Sequence, residues 1–278
     1  MNSKINNIKS NKLKSKLHLV ITQIALLVFI IISWELLAYI KVIDTFLFSS
    51  PSRIIKTLFI YINSGELGKH LLISVIEVIL GMTIGSVLGI IIASMLWLNK
   101  RIAKVLDPFI AVLNALPKTA LAPIMIIWAG TGVKGIVVVA LSILLIITII
   151  SAYNYFNNIE EEKIKMMKAF GATNLQILFK LILPSNYINI ISIVKINVGM
   201  SWIGVIVGEF LVSRAGIGYL IMYGGQIFNL DLVMMGVFVL AILAFSMWKI
   251  IDVFEKYFIK KLWTIYYIFK IKTTVIYF

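Results

Sequence analysis

Five ionisable side chains sit in otherwise apolar stretches: Glu35, Glu77, Lys118, Lys195 and Glu209. A charge at the centre of a membrane helix costs roughly 2.5–3.5 kcal/mol, so such residues mark an ion pair, an interior surface or a pathway. Glu77 could pair between helices with Lys195 or Lys118. Glu35 lies near the far end of its stretch, within reach of the interface. Lys118 follows Pro117 directly, and a proline inside a span frees carbonyls that protein or water must satisfy. Pro117 and Lys118 therefore suit either a pathway lining or a simple kink. A cation there, and a second at Lys195, suits an anionic solute. Glu209 is open to a structural or a gate-lining reading.

Other chemistries are poorly supplied. The chain has no cysteine, which removes disulfides, thiolate nucleophiles and cysteine metal sites. Two histidines, His18 and His70, are too few for a metal cluster, and no metal or cofactor is expected. No G-x-x-x-x-G-K-[ST] phosphate loop occurs, since Gly68-Lys69 is followed by His70. The chain is therefore not expected to be an enzyme, and any energy from ATP must come from a partner.

A second concentration of charge lies outside the apolar stretches, at 158–184, NIEEEKIKMMKAFGATNLQILFKLILP. Ile159, Met166, Met167 and Phe170 recur at helical spacing and predict one apolar face. Asn158 three residues before Glu161 predicts an N-cap, with acidic residues in the first turn. Gly171 suits a left-handed stop, and Thr173 with Gln176 predicts a capping box for a second short helix ending before Pro184. Read alone, the segment is a solvated loop or a docking surface.

The elements that position these residues are membrane helices. The 278 residues are 61% hydrophobic and only 14% charged, with mean hydropathy +1.02. Soluble domains are about a quarter charged, so this is a polytopic, all-α membrane protein. Spans are expected over 19–40, 70–98, 106–129, 136–153, 187–212 and 232–251. The third is broken by Pro117 and Pro123, and the second carries Gly81, Gly85 and Gly89 at a small-xxx-small spacing. The expected divisions are a disordered basic cytoplasmic tail (1–18), a first span with an extracytoplasmic segment (19–69), the transmembrane domain (70–255) and a basic, aromatic interfacial tail (256–278). In the segment after the first span, SRIIKTLFIYI suits a short amphipathic surface helix.

The net charge of +14 is distributed between the apolar runs, which favours membrane lipid over nucleic acid as its partner. With both termini cytoplasmic, inside segments carry 17 basic residues and outside segments 6; Lys118, Lys195 and Lys249 remain in or beside spans. The bias supports six spans and a cytoplasmic island in the cell membrane.

Gly171, nine residues, then Leu181-x-Leu183-Pro184 resembles the cytoplasmic EAA loop of ABC importer permeases. The chain from about 70 to 263 resembles the nitrate/sulfonate/taurine branch of the binding-protein-dependent class. The blocks that carry the likeness are LDPFIAVLNALPKTALAPIMIIWAGTGVKG (106–135), GATNLQILFKLILP (171–184), SWIGVIVGEFLVSRAGIGYLI (201–221) and EKYFIKKLW (255–263). The likeness departs at two places. Lys165, Met166 and Met167 stand where the family has E-A-A, and Glu77 stands where this branch often carries arginine.

The resemblance implies a type I ABC importer permease fold with six transmembrane helices. It implies ATPase-coupling residues at Glu161, Met166, Met167, Ala169, Phe170, Gly171, Ala172, Leu183 and Pro184. Its partners would be a cytoplasmic ABC ATPase subunit, an extracytoplasmic solute-binding (lipo)protein and a second copy of the permease. The solutes of that branch are aliphatic sulfonates or taurine, nitrate or a similar anion, and thiamine-precursor pyrimidines. The rival class is an ion-coupled secondary transporter working without an ATPase, which would need inverted repeats. None is evident between the halves.

Overall fold

A computed structural model of the chain describes the backbone of residues 2–276 and the side chains of residues 17–259. The described residues are helical, without strands. Among the described residues, five helical stretches are long and apolar enough to cross a membrane: Leu17–Tyr39, Glu66–Leu98, Val133–Asn157, Tyr187–Val212 and Leu230–Ile259. They lie in helices α1 (Asn2–Tyr39), α4 (Glu66–Leu98), α7 (Val133–Asn157), α11 (Tyr187–Val212) and α13 (Leu230–Ile276). Shorter helices α2 (Thr45–Phe48) and α3 (Pro51–Asn63) fill the first long connection.

The expected third span is a broken pair. Helices α5 (Lys100–Ala115) and α6 (Lys118–Ala129) meet at 99°. Leu116, with ψ 135, is extended because a residue preceding proline is excluded from the helical region. Pro117 therefore makes the break, whereas Pro123 stays inside α6. The basic tail is corrected as well: residues 2–18 continue α1 as helix rather than forming a disordered segment. Extending an existing helix gains one hydrogen bond for each residue fixed, without a new nucleus. Likewise α13 runs on to Ile276, and the anchor residues from Lys260 onward have side chains outside the described set.

Two compact units divide the chain. One comprises Met1–Glu66 and Tyr223–Met235, the other Leu67–Met222 and Gly236–Phe278. In the first, Glu35 accepts from Ser52 N at 2.9 Å and from Ser52 Oγ at 2.7 Å. It thus covers the start of α3. Arg53 pairs with Asp231 at 2.8 Å, and Ser49 Oγ donates to the same carboxylate at 2.6 Å.

In the second unit α4, α7 and α11 pack closely. The glycine stripe makes this possible: a Cβ at Gly85 or Gly89 would collide with Leu144 or Thr148. Small residues are how membrane helices gain close backbone contact. Val78, Ile136, Ala140, Val198, Trp202 and Val205 form the packed centre. Asn197 donates to Ser86 at 2.8 Å and to Thr148 at 2.9 Å, joining the three helices through buried polar groups.

Candidate functional site

The charged island folds as helix, turn, helix. Helix α8 (Glu161–Ala169) starts after Glu160, and Asn158 instead closes α7. The expected N-cap is therefore displaced by two residues, with no side-chain cap bond at Glu160. Gly171 takes φ +78, the left-handed conformation that favours glycine. Around it Gly171 N donates to Lys168 O and Ala172 N to Met167 O, the paired bonds of a Schellman stop. The capping box forms as the sequence predicts: Thr173 N donates to Gln176 Oε1 at 2.9 Å, and Gln176 N donates to Thr173 Oγ1 at 3.3 Å.

The second helix does not end before Pro184. After α9 (Asn174–Ile177) a π turn at Leu178–Ile182 leads into α10 (Leu183–Ser185), which holds Pro184 in its first turn. Proline has no N–H to give the helical ladder, and the wider π turn lies directly before it.

The predicted single apolar face is divided. Ile159 and Met167, with Ile164, Ala172, Leu181 and Leu183, pack on a cluster made by Trp97, Phe156, Ile177, Leu178, Ile182 and Ile193. Met166 is 55% exposed and Phe170 82% exposed. A 9-residue helix presents more than one face, and the core takes only one of them. The island is therefore clamped to the ends of the spans by one face and leaves the other open. Glu161 and Ala169 are also exposed. Lys165 pairs with Glu161 at 3.5 Å and Lys163 with Glu160 at 3.0 Å. Beside α8 lies a cavity of about 590 Å³, lined by Arg101, Glu161, Ile164, Lys168 and Asn174 among others.

The intramembrane charges pair differently from the expectation. Lys195 meets neither Glu77 nor Glu209. Its Nζ lies 2.5 Å from Asp252 and 2.9 Å from Glu255, both on α13, and 4.6 Å from the centre of the Trp248 ring. Lys118 Nζ donates to Asn114 O at 2.8 Å, across the bend from α5. The two acidic partners on α13 and the Trp248 ring have no part in the sequence reading above. Asp252 and Glu255 sit one turn apart at the end of an apolar run, which is the signal that locates them.

Glu77 faces Glu209 instead. Glu209 accepts from Ser74 Oγ at 2.5 Å, Gly218 N at 2.5 Å and Tyr219 N at 3.3 Å. Ser74 Oγ accepts from Ile217 N at 2.8 Å, and His70 Nδ1 accepts from Gly216 N at 2.9 Å. Four consecutive N–H groups at the start of α12 (Ile217–Gln226) are thus taken by side chains of α4 and α11. This satisfies donors that a helix start leaves without partners, and it sets a carboxylate at the positive helix end. His70 and Ser74 carry no sequence signal for this role, because their partners are backbone groups distant in the chain.

Residues 85–264 match the family described as "Binding-protein-dependent transport system inner membrane component". A putative aliphatic sulfonates transport permease, SsuC of Bacillus subtilis (strain 168), is 29% identical over 84% of this chain and 83% of its own length. The taurine transport system permease TauC of Escherichia coli (strain K12) is 24% identical over 76% of this chain and 79% of its own. An inward-facing structure of the MetNI methionine ABC transporter gives a TM-score of 0.58 at 18% identity, covering 66% of this chain and 91% of that one.

Proposed function

We propose, since this chain belongs to the family of binding-protein-dependent transport system inner membrane components, that its island is the contact through which a separate ATPase drives it. The chain is the permease component of an ABC importer, with the helical type I permease fold. That family works with an ATPase and a solute-binding protein; ATP hydrolysis is assigned to the former. The reading also takes the permease as a homodimer in the cell membrane, surrounded by lipid, with both termini and the island cytoplasmic.

One observation carries the coupling assignment. The island is fixed to the core by Met167 and the Ile177–Ile182 turn, while Phe170 and Met166 stand exposed beside the Gly171 stop. An exposed apolar anchor on a rigidly held helix suits insertion into a partner's groove. Glu161, Ala169 and Ala172 flank that anchor, and Leu183 with Pro184 ends the segment. The Lys165–Glu161 pair keeps an acidic group on the face where the family places one. ATP-driven closure of the partner would push the clamped helices and switch the packing of the spans.

The pathway assignment is narrower. Pro117 and Lys118 form the bend between α5 and α6, while Lys195 and Glu209 tie α11 to α13 and α12. We assign Pro117 and Lys118 to the lining, and Lys195 and Glu209 to the ties that hold each packed state. The solute is proposed to be a small aliphatic sulfonate or taurine-like molecule, supported by the two sulfonate-related permeases.

Co-purification with the cognate ATPase tests the coupling. Phe170→Asp should abolish capture and Gly171→Pro should weaken it, with the permease still folded. Undiminished capture by both variants overturns the assignment. Solute uptake in cells lacking every ATPase partner would overturn the importer role.

A further inference from the structure

We propose that the Glu77–Glu209 pair binds the ammonium group of a small solute, in the cavity that Glu77 lines. The observations are these. Both carboxyl groups are about 1% exposed and face each other. Glu209 has three donors, from Ser74 and the start of α12. Glu77 meets only Glu209, and its Oε2 is left without a hydrogen-bond partner. A buried polar atom without a partner is costly, and two carboxylates in contact add mutual repulsion. A cation with N–H donors answers both.

The cavity supplies the room. It measures about 400 Å³ and is lined by Glu77, Thr131, Ser213 and Arg214 with the apolar side chains of Ile73 and Ile136. A mostly apolar recess with a few polar groups is the usual character of a small-molecule site. An ammonium at Glu77 can donate three hydrogens, with Thr131 and Ser213 hydroxyls also on the wall. Arg214 on the same wall offers a guanidinium to an acidic end. The chemical class is therefore a primary amine, free or as the amine end of a zwitterion. As a statement about the transported solute this rests on the importer reading, but the binding itself needs no ATPase.

The test uses the purified full-length permease in lipid nanodiscs, with methylammonium chloride, taurine and sodium chloride as probes at one ionic strength and pH. At ten-fold excess over Kd, an amine that binds only the folded state should raise the melting temperature by about 3 °C. Methylammonium or taurine should do so and sodium should not. Isethionate, in which a hydroxyl replaces the amine of taurine, should have no effect. Glu77→Gln should remove the shift. Val133→Trp, which fills the cavity mouth from the exposed start of α7, should remove it while leaving both carboxyls in place. No shift with either amine overturns the proposal, leaving a proton shared by the pair. An equal shift with sodium also overturns it, as does a shift that survives in Val133→Trp. Loss of the amine effect with intact ATPase capture refutes this site alone; loss of capture with the amine effect intact refutes only the coupling assignment.

Discussion

Glu209 concentrates more of the local order than any other charged residue of α11. It takes Ser74, Gly218 and Tyr219, and through Ser74 it indirectly steadies Ile217. Glu209→Ala should cost about 1–3 kcal/mol, the price of buried donors left unpaired. Thermal unfolding in detergent should show it, with a larger drop than for His70→Ala, which orphans only Gly216 N. A close approach gives a second residue-scale outcome. A Cβ at Gly89 would stand 2.4 Å from Thr148 Cγ2. Gly89→Val should therefore lose about 1–3 kcal/mol through overpacking, while Gly199→Ala, with nothing within 4 Å, should be tolerated. These residues also mark a limit of sequence reading. Glu77 and Glu209 stand out as charges in apolar runs, but which charge meets which is decided by helix rotation and register. The sequence offered Glu77 to a lysine; packing of α4 on α11 gave it another glutamate.

The island shows the opposite case at the level of elements. Its turn and its second start were legible because both depend on local chemistry: glycine at positive φ, and threonine three residues before glutamine. Its first cap and the passage through Pro184 were not. Asn158 is drawn into the last turn of α7, and the π turn forms where Ile177, Leu178 and Ile182 must all reach the core. Both outcomes depend on what the segment packs against. Gly171→Ala keeps the turn but holds alanine at φ +78, a strain of about 1–2 kcal/mol. Because space around Gly171 is open, the strain should appear as a displaced Phe170 rather than as unfolding. The expected result is binding to the ATPase weakened by up to about ten-fold, measured by titration of the purified partner. Lys195→Met should act elsewhere, leaving Asp252 and Glu255 without their shared cation between α11 and α13. It should lower the melting temperature, and Asp252→Asn in the same chain should restore part of the loss.

Across the whole molecule the topology turns on the α5–α6 pair. Five helical stretches can cross a membrane alone, and this pair makes a sixth crossing or a re-entrant loop. The positive-inside bias favours the sixth crossing. Starting from a cytoplasmic amino end, five crossings would put the island and its Lys163, Lys165, Lys168 and Lys180 outside, against the positive-inside bias. Six crossings return those lysines to the cytoplasm and leave only Lys134 and the glycine turn at 130–132 on the far side of the pair. On the six-crossing arrangement the 99° bend at Pro117 would be a broken span whose freed carbonyls are partly answered, as Lys118 does for Asn114. The chain has no native cysteine, so single-cysteine labelling has no background. With a membrane-impermeant maleimide applied to intact cells, Thr131→Cys should react and Thr173→Cys should react only after lysis. The reverse pattern would make the pair re-entrant and place the island outside, where no cytoplasmic ATPase could reach Phe170.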